Sequence, residues 1–311
     1  MNIQQFHYIL ALSETRHFEK AAEMCHITQS TLSTMISKFE DELGIQVFDR
    51  KKKPIEISIE GEAILEQIKK IKKEIDGLTA LTQEIKGEIK GSLSIAVIPT
   101  IAPYILPQIL RSFSQKSPKL ELIVREQTTE EITRLIKSRQ LDIGILSTPI
   151  NEKEIIEHHL YDEPFVFFTQ KNHPNKTIET HQLETKNLCL LEEGHCMRAQ
   201  VLELCNVHLK KKNKIENFNY SAGSIDSLMK FVLANKMDTL LPYLAAIDLP
   251  KEAQKNIVQF TEPMPYRSVG MVVHKHFVRK KILNLLQKEI QEKIAPLIPK
   301  IGANSKQLMP I

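Results

Sequence analysis

The sequence predicts an α/β protein with a helical N-terminal head, a long connecting helix and two Rossmann-like α/β subdomains. Three patterns predict it. Apolar residues recur at helical spacing over the first sixty residues, a four-and-three apolar repeat follows to about Lys86, and from Gly91 strand and helix patterns alternate. A chain of 311 residues is too long for one ordinary core. With 42% apolar residues and only 15 prolines and 10 glycines, most of it should be ordered. Met1-Asn2-Ile3-Gln4-Gln5 lacks the basic start and apolar run of a signal peptide, and no stretch approaches the roughly 18 apolar residues of a membrane span. A cytoplasmic protein without membrane contact is expected. Four cysteines do not make a secreted-type disulfide framework, so any disulfide here would be transient, catalytic or sensory. The net charge of +4 permits nucleic-acid binding without arguing for it.

In the head, Phe6, Ile9 and Leu10 form one apolar stripe, Phe18, Ala21, Ala22 and Cys25 a second, and Leu32, Ile36, Phe39 and Leu43 a third. Three short helices follow from this. Thr28, in His26-Ile27-Thr28-Gln29, is placed to cap the third. The small pair Ala21-Ala22 lets two helices cross closely, as a helix-turn-helix requires. Gln29, Ser30, Thr31, Ser33, Thr34, Ser37 and Lys38 supply the third helix with short donors and acceptors suited to a major groove. Gly44 ends that helix, and Val47 to Pro54 leads into the alternating Ile55-Glu56-Ile57, which reads as a wing. Arg50, Lys51, Lys52 and Lys53 at its tip would neutralise phosphates. A charge run is as often a solvated loop, and acidic residues slightly outnumber basic ones over this region, so the apolar spacing is the stronger evidence.

These residues carry a family resemblance. Phe6-His7-Tyr8, Phe18-Glu19-Lys20-Ala21-Ala22, Thr28 to Ser33 and Phe39 to Arg50 together resemble the winged helix-turn-helix of LysR-type transcriptional regulators, whose length and domain order match the whole chain. One departure is His17, where that family usually has a serine capping the second helix.

Ser58 is placed to cap the long helix, whose apolar positions Ile64, Ile68, Ile71, Ile75, Leu78 and Ile85 alternate four and three apart, interrupted only by Thr82, like a coiled-coil seam. Packing on its own domain's core is the alternative. The flanking Lys69, Lys70, Lys72, Lys73 and Glu74 leave only a narrow stripe to bury, which favours a homodimer through this helix. Gly87 and Gly91 mark its exit.

Beyond Gly91, Leu93 to Ile98 reads as a strand, Ile105 to Ser114 as a helix and Leu120 to Val124 as a strand. Thr128-Thr129-Glu130-Glu131 then opens a helix as a capping box, and Leu141 to Leu146 reads as a buried strand. The alternation predicts a parallel sheet with ligands at the carboxyl ends of its strands. A second α/β unit runs from about Pro164 to Pro265. The resemblance implies that strand Val269 to Val273 and helix Lys280 to Ile294 return to the first unit, giving two lobes like those of periplasmic binding proteins. The expected divisions are a head over 1–58, a linker over 59–87, a first subdomain over 91–163 with 266–299, a second over 164–265, and a loose tail over 300–311. Thr100 and Thr129 fall at strand-to-helix junctions, where a hydroxyl more often caps a helix than binds a ligand. The LysR resemblance places Thr100 at the cleft between lobes.

Cys25 and Cys189 sit in apolar runs and read as small buried hydrophobes. Cys196, in Gly194-His195-Cys196-Met197-Arg198, stands at a strand-to-helix junction beside positive charge, which can favour a thiolate. Cys205 follows nine residues later. If the stretch between them is helical, the two lie about 13 Å apart along the axis, whereas a disulfide needs α-carbons within about 7 Å. A zinc site from His195, Cys196, Cys205 and His208 is the competing chemistry, but these residues lack the paired close spacing of zinc modules. Neither metal nor cofactor is expected, and from the residues alone an inert cysteine is the favoured reading of Cys196.

Leu190 to Gln200 with Cys205 is very similar to the redox segment of the OxyR peroxide sensors, a branch of the LysR family. Ile98 to Pro107 and Arg267-Ser268-Val269-Gly270 match as well. The resemblance implies that Cys196 is the peroxidatic cysteine and Cys205 the resolving one, with Thr100, Thr129, His195 and Arg267 around the peroxide. The chain departs from that pattern at Asn219, where some members have a histidine, and in the lysine-rich Lys210 to Lys214. It further implies double-stranded promoter DNA as partner, a homodimer that pairs into a homotetramer, a cellular dithiol as reductant and RNA polymerase as a candidate contact. A regulator of oxidative-stress genes is expected, not an enzyme. The competing readings are a metabolite-responsive LysR-type regulator with incidental cysteines and a thiol peroxidase. A solute-binding protein is disfavoured because a signal sequence is missing.

Overall fold

The structure is a computed structural model. It describes residues 1–171, 173, 176–183, 187–192, 196–204 and 220–310. His195, Cys205, His208, Lys210 to Lys214 and Asn219 lie outside the described residues. Two compact units divide the chain, Met1–Thr82 and Gln83–Ile311.

In the first unit the three apolar stripes form helices α1 (Ile3–Thr15), α2 (Phe18–Met24) and α3 (Gln29–Leu43). Their inward residues, among them Ile9, Leu12, Ala21, Leu32, Ile36 and Phe39, make one buried core, with Phe6 edge-on to Phe39 at 6.0 Å. Asn2 and Gln5 close a capping box on α1, and Thr28 accepts the Thr31 N–H at 3.3 Å to cap α3. His17 precedes α2 without a side-chain capping bond, as its departure from serine leads one to expect. Gly44 takes φ +67° where α3 stops. Strands β1 (Phe48–Asp49) and β2 (Glu56–Ile57) pair antiparallel as the wing.

Helix α4 (Ile59–Ile85) begins where Ser58 Oγ accepts the Gly61 N–H at 2.9 Å. The expected seam divides along its length. Leu65 and Ile68 are buried in the winged-helix core, with Ile64 and Ile71 half-buried against it, so this stretch follows the alternative of packing on its own domain. The reason is the phase of the helix: Leu65, outside the four-and-three repeat, turns the stripe toward the head. Leu78 and Ile85 remain 63% and 76% exposed.

The second unit opens with the expected alternation of β3 (Gly91–Val97), α5 (Ala102–Lys116), β4 (Leu120–Glu126), α6 (Thr129–Lys137) and β5 (Ile143–Thr148). Next come β6 (Ile155–Phe168), β7 (Thr177–Ile178), α7 (Cys196–Leu204), α8 (Ile225–Asn235), β8 (Thr239–Pro242), α9 (Tyr243–Ile247), α10 (Lys251–Gln254) and β9 (Ile257–Phe260). Strand β10 (Pro265–His274), helix α11 (Lys280–Ile294) and strand β11 (Lys306–Gln307) complete the chain. The strand order is β4-β3-β5-β10-β6-β9-β7, with β11 beside β10 and β8 beside β6. Strands β4, β3 and β5 are parallel as expected, but β10 runs antiparallel to both β5 and β6, so the sheet is mixed. The long strand β6 pairs first with β10 and then with β8 and β9. It thereby carries the chain from a core around Leu93, Ile105, Ile132 and Ile143 to one around Phe165, Phe168, Leu228 and Leu240. Among the described residues no helix is long and apolar enough to cross a membrane.

The C-terminal segment is not loose. Strand β11 pairs in parallel with the start of β10, the Leu308 N–H donates to Tyr266 O at 2.8 Å, and the Leu308 side chain is fully buried in the second core. One leucine and backbone pairing secure it, a signal too short for periodicity to reveal.

Helix α11 is tied to α5 by Glu289, which is 2% exposed and accepts from Ser112 and Lys116. These bonds hold its carboxyl below the ordinary value. A depressed folded-state value contributes stability that is present above the unfolded value, about pH 4.3, and lost as pH falls through the folded one. Glu289→Gln should therefore lower the thermal midpoint near neutral pH, and the gap to the native protein should close on acidification. Thermal melts across that range test this; a gap independent of pH would refute it.

Candidate redox site and DNA-binding face

Strand register gathers the candidate residues of the second unit. In the parallel group Val97 pairs with Glu126 and with Ile145, so the turns after β3 and β4 and the end of β5 share one edge of the sheet. Thr100 lies in the first turn, Thr129 opens α6 in the second, and Ser147 is near the end of β5. Because β10 is antiparallel to β5, with Ser268 opposite Thr148, its Arg267 starts at that same edge. Carboxyl ends of parallel strands are where α/β sheets place their ligands.

Arg267 is the centre of a buried network. Its guanidinium is 1% exposed and donates through Nε and Nη2 to Glu163 Oε2, at 2.8 and 2.7 Å. Nη1 donates to Thr100 Oγ1 at 3.0 Å and Nη2 to Thr100 O at 3.1 Å. Glu163 is wholly buried, and its other oxygen, Oε1, accepts the Leu244 N–H of α9 at 2.8 Å. Burial pushes the guanidinium's pKa down, but the charge of the neighbouring Glu163 carboxylate leads the opposing effects and its hydrogen bond adds to them, so the group is held above its ordinary value and stays cationic. Two buried hydroxyls, Thr129 Oγ1 and Tyr161 Oη, have no hydrogen-bond partner among the described residues. Burial, then the Glu163 charge, pushes the Tyr161 phenol well up and keeps it neutral.

Cys196 is the first residue of α7 and is 6% exposed. It packs in the first core while its helix neighbours Met197, Val201 and Leu204 pack in the second. The Sγ lies 3.7 Å from Ser147 Oγ as donor. Arg198 donates to Leu191 O at 2.8 Å, and the fully buried Gln200 donates to Leu308 O at 3.1 Å. The C-terminal segment therefore clasps the helix that presents the cysteine. Cys189 is buried as expected, whereas Cys25 is only half-buried, at the end of α2. Burial raises the pKa of both thiols. No cluster of three metal-binding side chains occurs among the described residues, and of the candidate zinc ligands only Cys196 is among them.

The structure thus brings Thr100 and Arg267 together, sets Cys196 in the same buried core region, and places Thr129 at the same sheet edge. Sequence reading missed Ser147 and Glu163. Neither gave a distinct signal: Ser147 is one small polar residue in a strand, and Glu163 follows Asp162 at the head of the apolar run Pro164 to Phe168.

On the first unit, Gln29, Ser30, Thr31, Thr34 and Lys38 of α3 are exposed, and Ser33 is half-buried. Lys51, Lys52 and Lys53 are exposed at the wing. Two wing cations have protein partners. Arg50 donates to Glu40 Oε2 at 2.6 Å and lies 5.4 Å over the Phe18 ring, and Lys52 pairs with Glu56. Glu40 also accepts the N–H groups of Val47 and Phe48, at 2.8 and 3.1 Å. Arg50 therefore braces the wing against α3, and Lys51 and Lys53 are the tip cations without an acidic partner among the described residues.

Comparison with known proteins agrees with this division. Residues 3–62 match the bacterial regulatory helix-turn-helix protein family of lysR type, and residues 86–295 match the LysR substrate binding domain. The chain is 33% identical over 278 residues to the DNA-binding transcriptional dual regulator OxyR of Escherichia coli (strain K12), covering 88% of this chain and 89% of that protein. It is 30% identical over 289 residues to a probable hydrogen peroxide-inducible genes activator of Mycobacterium leprae, covering 92% of each. A full-length OxyR variant from Pseudomonas aeruginosa superposes with a TM-score of 0.72 at 29% identity, covering 94% of this chain and 98% of that one. A helix-turn-helix head, a long helix and a two-lobed α/β domain, matched along nearly their whole length, show that this chain belongs to the LysR family of DNA-binding transcriptional regulators.

Proposed function

We propose that this regulator senses hydrogen peroxide through a reversible Cys196–Cys205 disulfide and passes the change to promoter DNA of oxidative-stress genes. The observation that carries the reading is Cys196, buried at the start of α7 in the core region that also holds a cationic Arg267 hydrogen-bonded to Thr100. The relatives named as peroxide-inducible activators support it. In the reaction, Cys196 thiolate attacks one peroxide oxygen and the O–O bond breaks. The departing hydroxide, stabilised by Arg267 and Thr100, takes a proton and leaves as water. Thr129 and, as the resemblance to the peroxide sensors implies, His195 would serve the same pocket. Cys205 thiol then displaces the hydroxyl of the sulfenic acid, forming the disulfide and a second water. A dithiol reductant resets the pair.

Cys196 and Leu204 are helical throughout, about 12 Å apart along the axis, and one further peptide step recovers only about 3.8 Å. Bond formation therefore requires α7 to unwind. We assign the exposed Leu78 and Ile85 of α4 to a homodimer seam, with dimers pairing into tetramers and RNA polymerase as a candidate contact on the promoter. Gln29, Ser30, Thr31, Ser33, Thr34 and Lys38 would face the groove, with Lys51 and Lys53 on phosphates.

The test is stoichiometric peroxide on reduced protein, with disulfide mapping by mass spectrometry and promoter footprinting. A Cys196–Cys205 bond and an altered footprint are expected. No bond at low peroxide would sink the sensor and favour a metabolite-responsive regulator, while a bond with an unchanged footprint would favour a thiol peroxidase. Lys53→Ala should weaken promoter binding similarly across sequences and shallow the salt dependence by about one phosphate contact. An unchanged salt slope would remove the wing from the interface.

A further inference from the structure

We propose that Glu163 is a positioning residue for peroxide reduction, fixing the aim of Arg267 by dividing its two carboxylate oxygens between that guanidinium and the backbone of α9. The inference rests on the peroxide-sensing reading of Cys196. Arg267 and Glu163 are directly opposite residues on β10 and β6, and each is at most 1% exposed. Contact with bulk water therefore does not orient either group. Glu163 Oε2 takes two guanidinium donors and Oε1 takes the Leu244 N–H, so the carboxylate has a fixed rotation. Of the five guanidinium N–H groups, those on Nε and Nη2 and one on Nη1 are used by Glu163 and Thr100. That leaves one Nη1 N–H without a partner among the described residues. Its direction is set by the Glu163 grip at the other end of the planar group, as a rigid fork requires.

The charge of Glu163 has a second effect. It offsets the cation, so less of the Arg267 field reaches the cysteine sulfur than a lone buried guanidinium would deliver. The other ionisable groups facing this pair are Tyr161 on β6, Tyr104 on α5 and Cys196 on α7. Aim and charge can be separated by substitution. Glu163→Gln keeps the shape but loses the charge, and has one acceptor oxygen for two sets of donors. Glu163→Asp keeps the charge but is one methylene too short to hold Arg267 and Leu244 together.

The experiment uses full-length reduced protein. It measures the pH profile of Cys196 alkylation by iodoacetamide and the rate of Cys196 oxidation by hydrogen peroxide on the alkylation plateau, where ionisation no longer limits. Glu163→Gln should move the alkylation midpoint to lower pH and slow plateau oxidation by about tenfold to a hundredfold, the effect of misplacing a catalytic group by about an ångström. Glu163→Asp should slow oxidation similarly with the midpoint in place, and it carries the test if the glutamine variant does not fold. Plateau rates within twofold of native in the folded variants would overturn the proposal. If native Cys196 does not react with peroxide at all, the sensing reading fails. The alkylation arm still decides whether Glu163 governs the Arg267 field: a lowered midpoint in Glu163→Gln supports it and an unmoved one overturns it.

Discussion

Cys196→Ser should abolish the response to peroxide while leaving promoter affinity intact. Serine is nearly isosteric, its hydroxyl can keep the contact to Ser147 Oγ that Sγ makes at 3.7 Å, and the site is far in sequence from α3. What is lost is the nucleophile, since the reacting species is a thiolate and a serine hydroxyl cannot supply its equivalent. The remaining described cysteines will not substitute. Burial raises the thiols of Cys25 and Cys189, which keeps them protonated near neutral pH. Peroxide treatment of the variant should therefore give no disulfide by mass spectrometry and no change of footprint, a complete loss. Cys205→Ser should behave differently, oxidising once and stopping at a sulfenic acid that dimedone traps on Cys196. A Cys196→Ser protein that still alters its footprint with peroxide would show that another group is the sensor.

The contrast between what could be read in the residues and what could not has a physical cause. Helices α1 to α3, α5 and α11 were legible because each buries one stripe, and stripe spacing is written directly in sequence. The wing was legible from alternation next to a helix-ending Gly44. By contrast, the antiparallel course of β10 is set by partners more than a hundred residues away, as in Arg267 with Glu163. An apolar run such as Val269 to Val273 looks the same in either direction. Thr100 and Cys196 stand out in sequence only as residues at strand-to-helix junctions, and their roles, like the choice of Arg267, come from surroundings that resemble a known family. Ser147 and Glu163 escaped notice because their roles exist only after β5, β6 and β10 are laid side by side.

The C-terminal segment carries the second large effect. Leu308→Ala should destabilise the second unit by about 2–5 kcal/mol, the range for emptying a fully buried leucine site. For a unit of this size that corresponds to a thermal shift of roughly 5–15 °C. Exposure decides the estimate: Leu308 is 0% exposed and lies in the core that contains Met197, Val201 and Leu204 of α7. Were the segment peripheral, the change would stay within about 0.5 kcal/mol. Its effect should also be directional. Gln200 reaches Leu308 O, Glu203 accepts the Met309 N–H at 3.1 Å, and Lys306 faces Glu203 at 3.6 Å. The segment thus holds one side of α7 by backbone groups whose position depends on the Leu308 anchor. Loosening that anchor should raise hydrogen exchange in α7 more than in α5 or α11, which pack in the other core. Because closure of the proposed Cys196–Cys205 disulfide would require α7 to unwind, the same variant should form that bond faster from the sulfenic acid, with the initial attack on peroxide little changed. Equal exchange gains across all three helices would mean that the leucine supports the fold generally and exerts no particular hold on the redox helix.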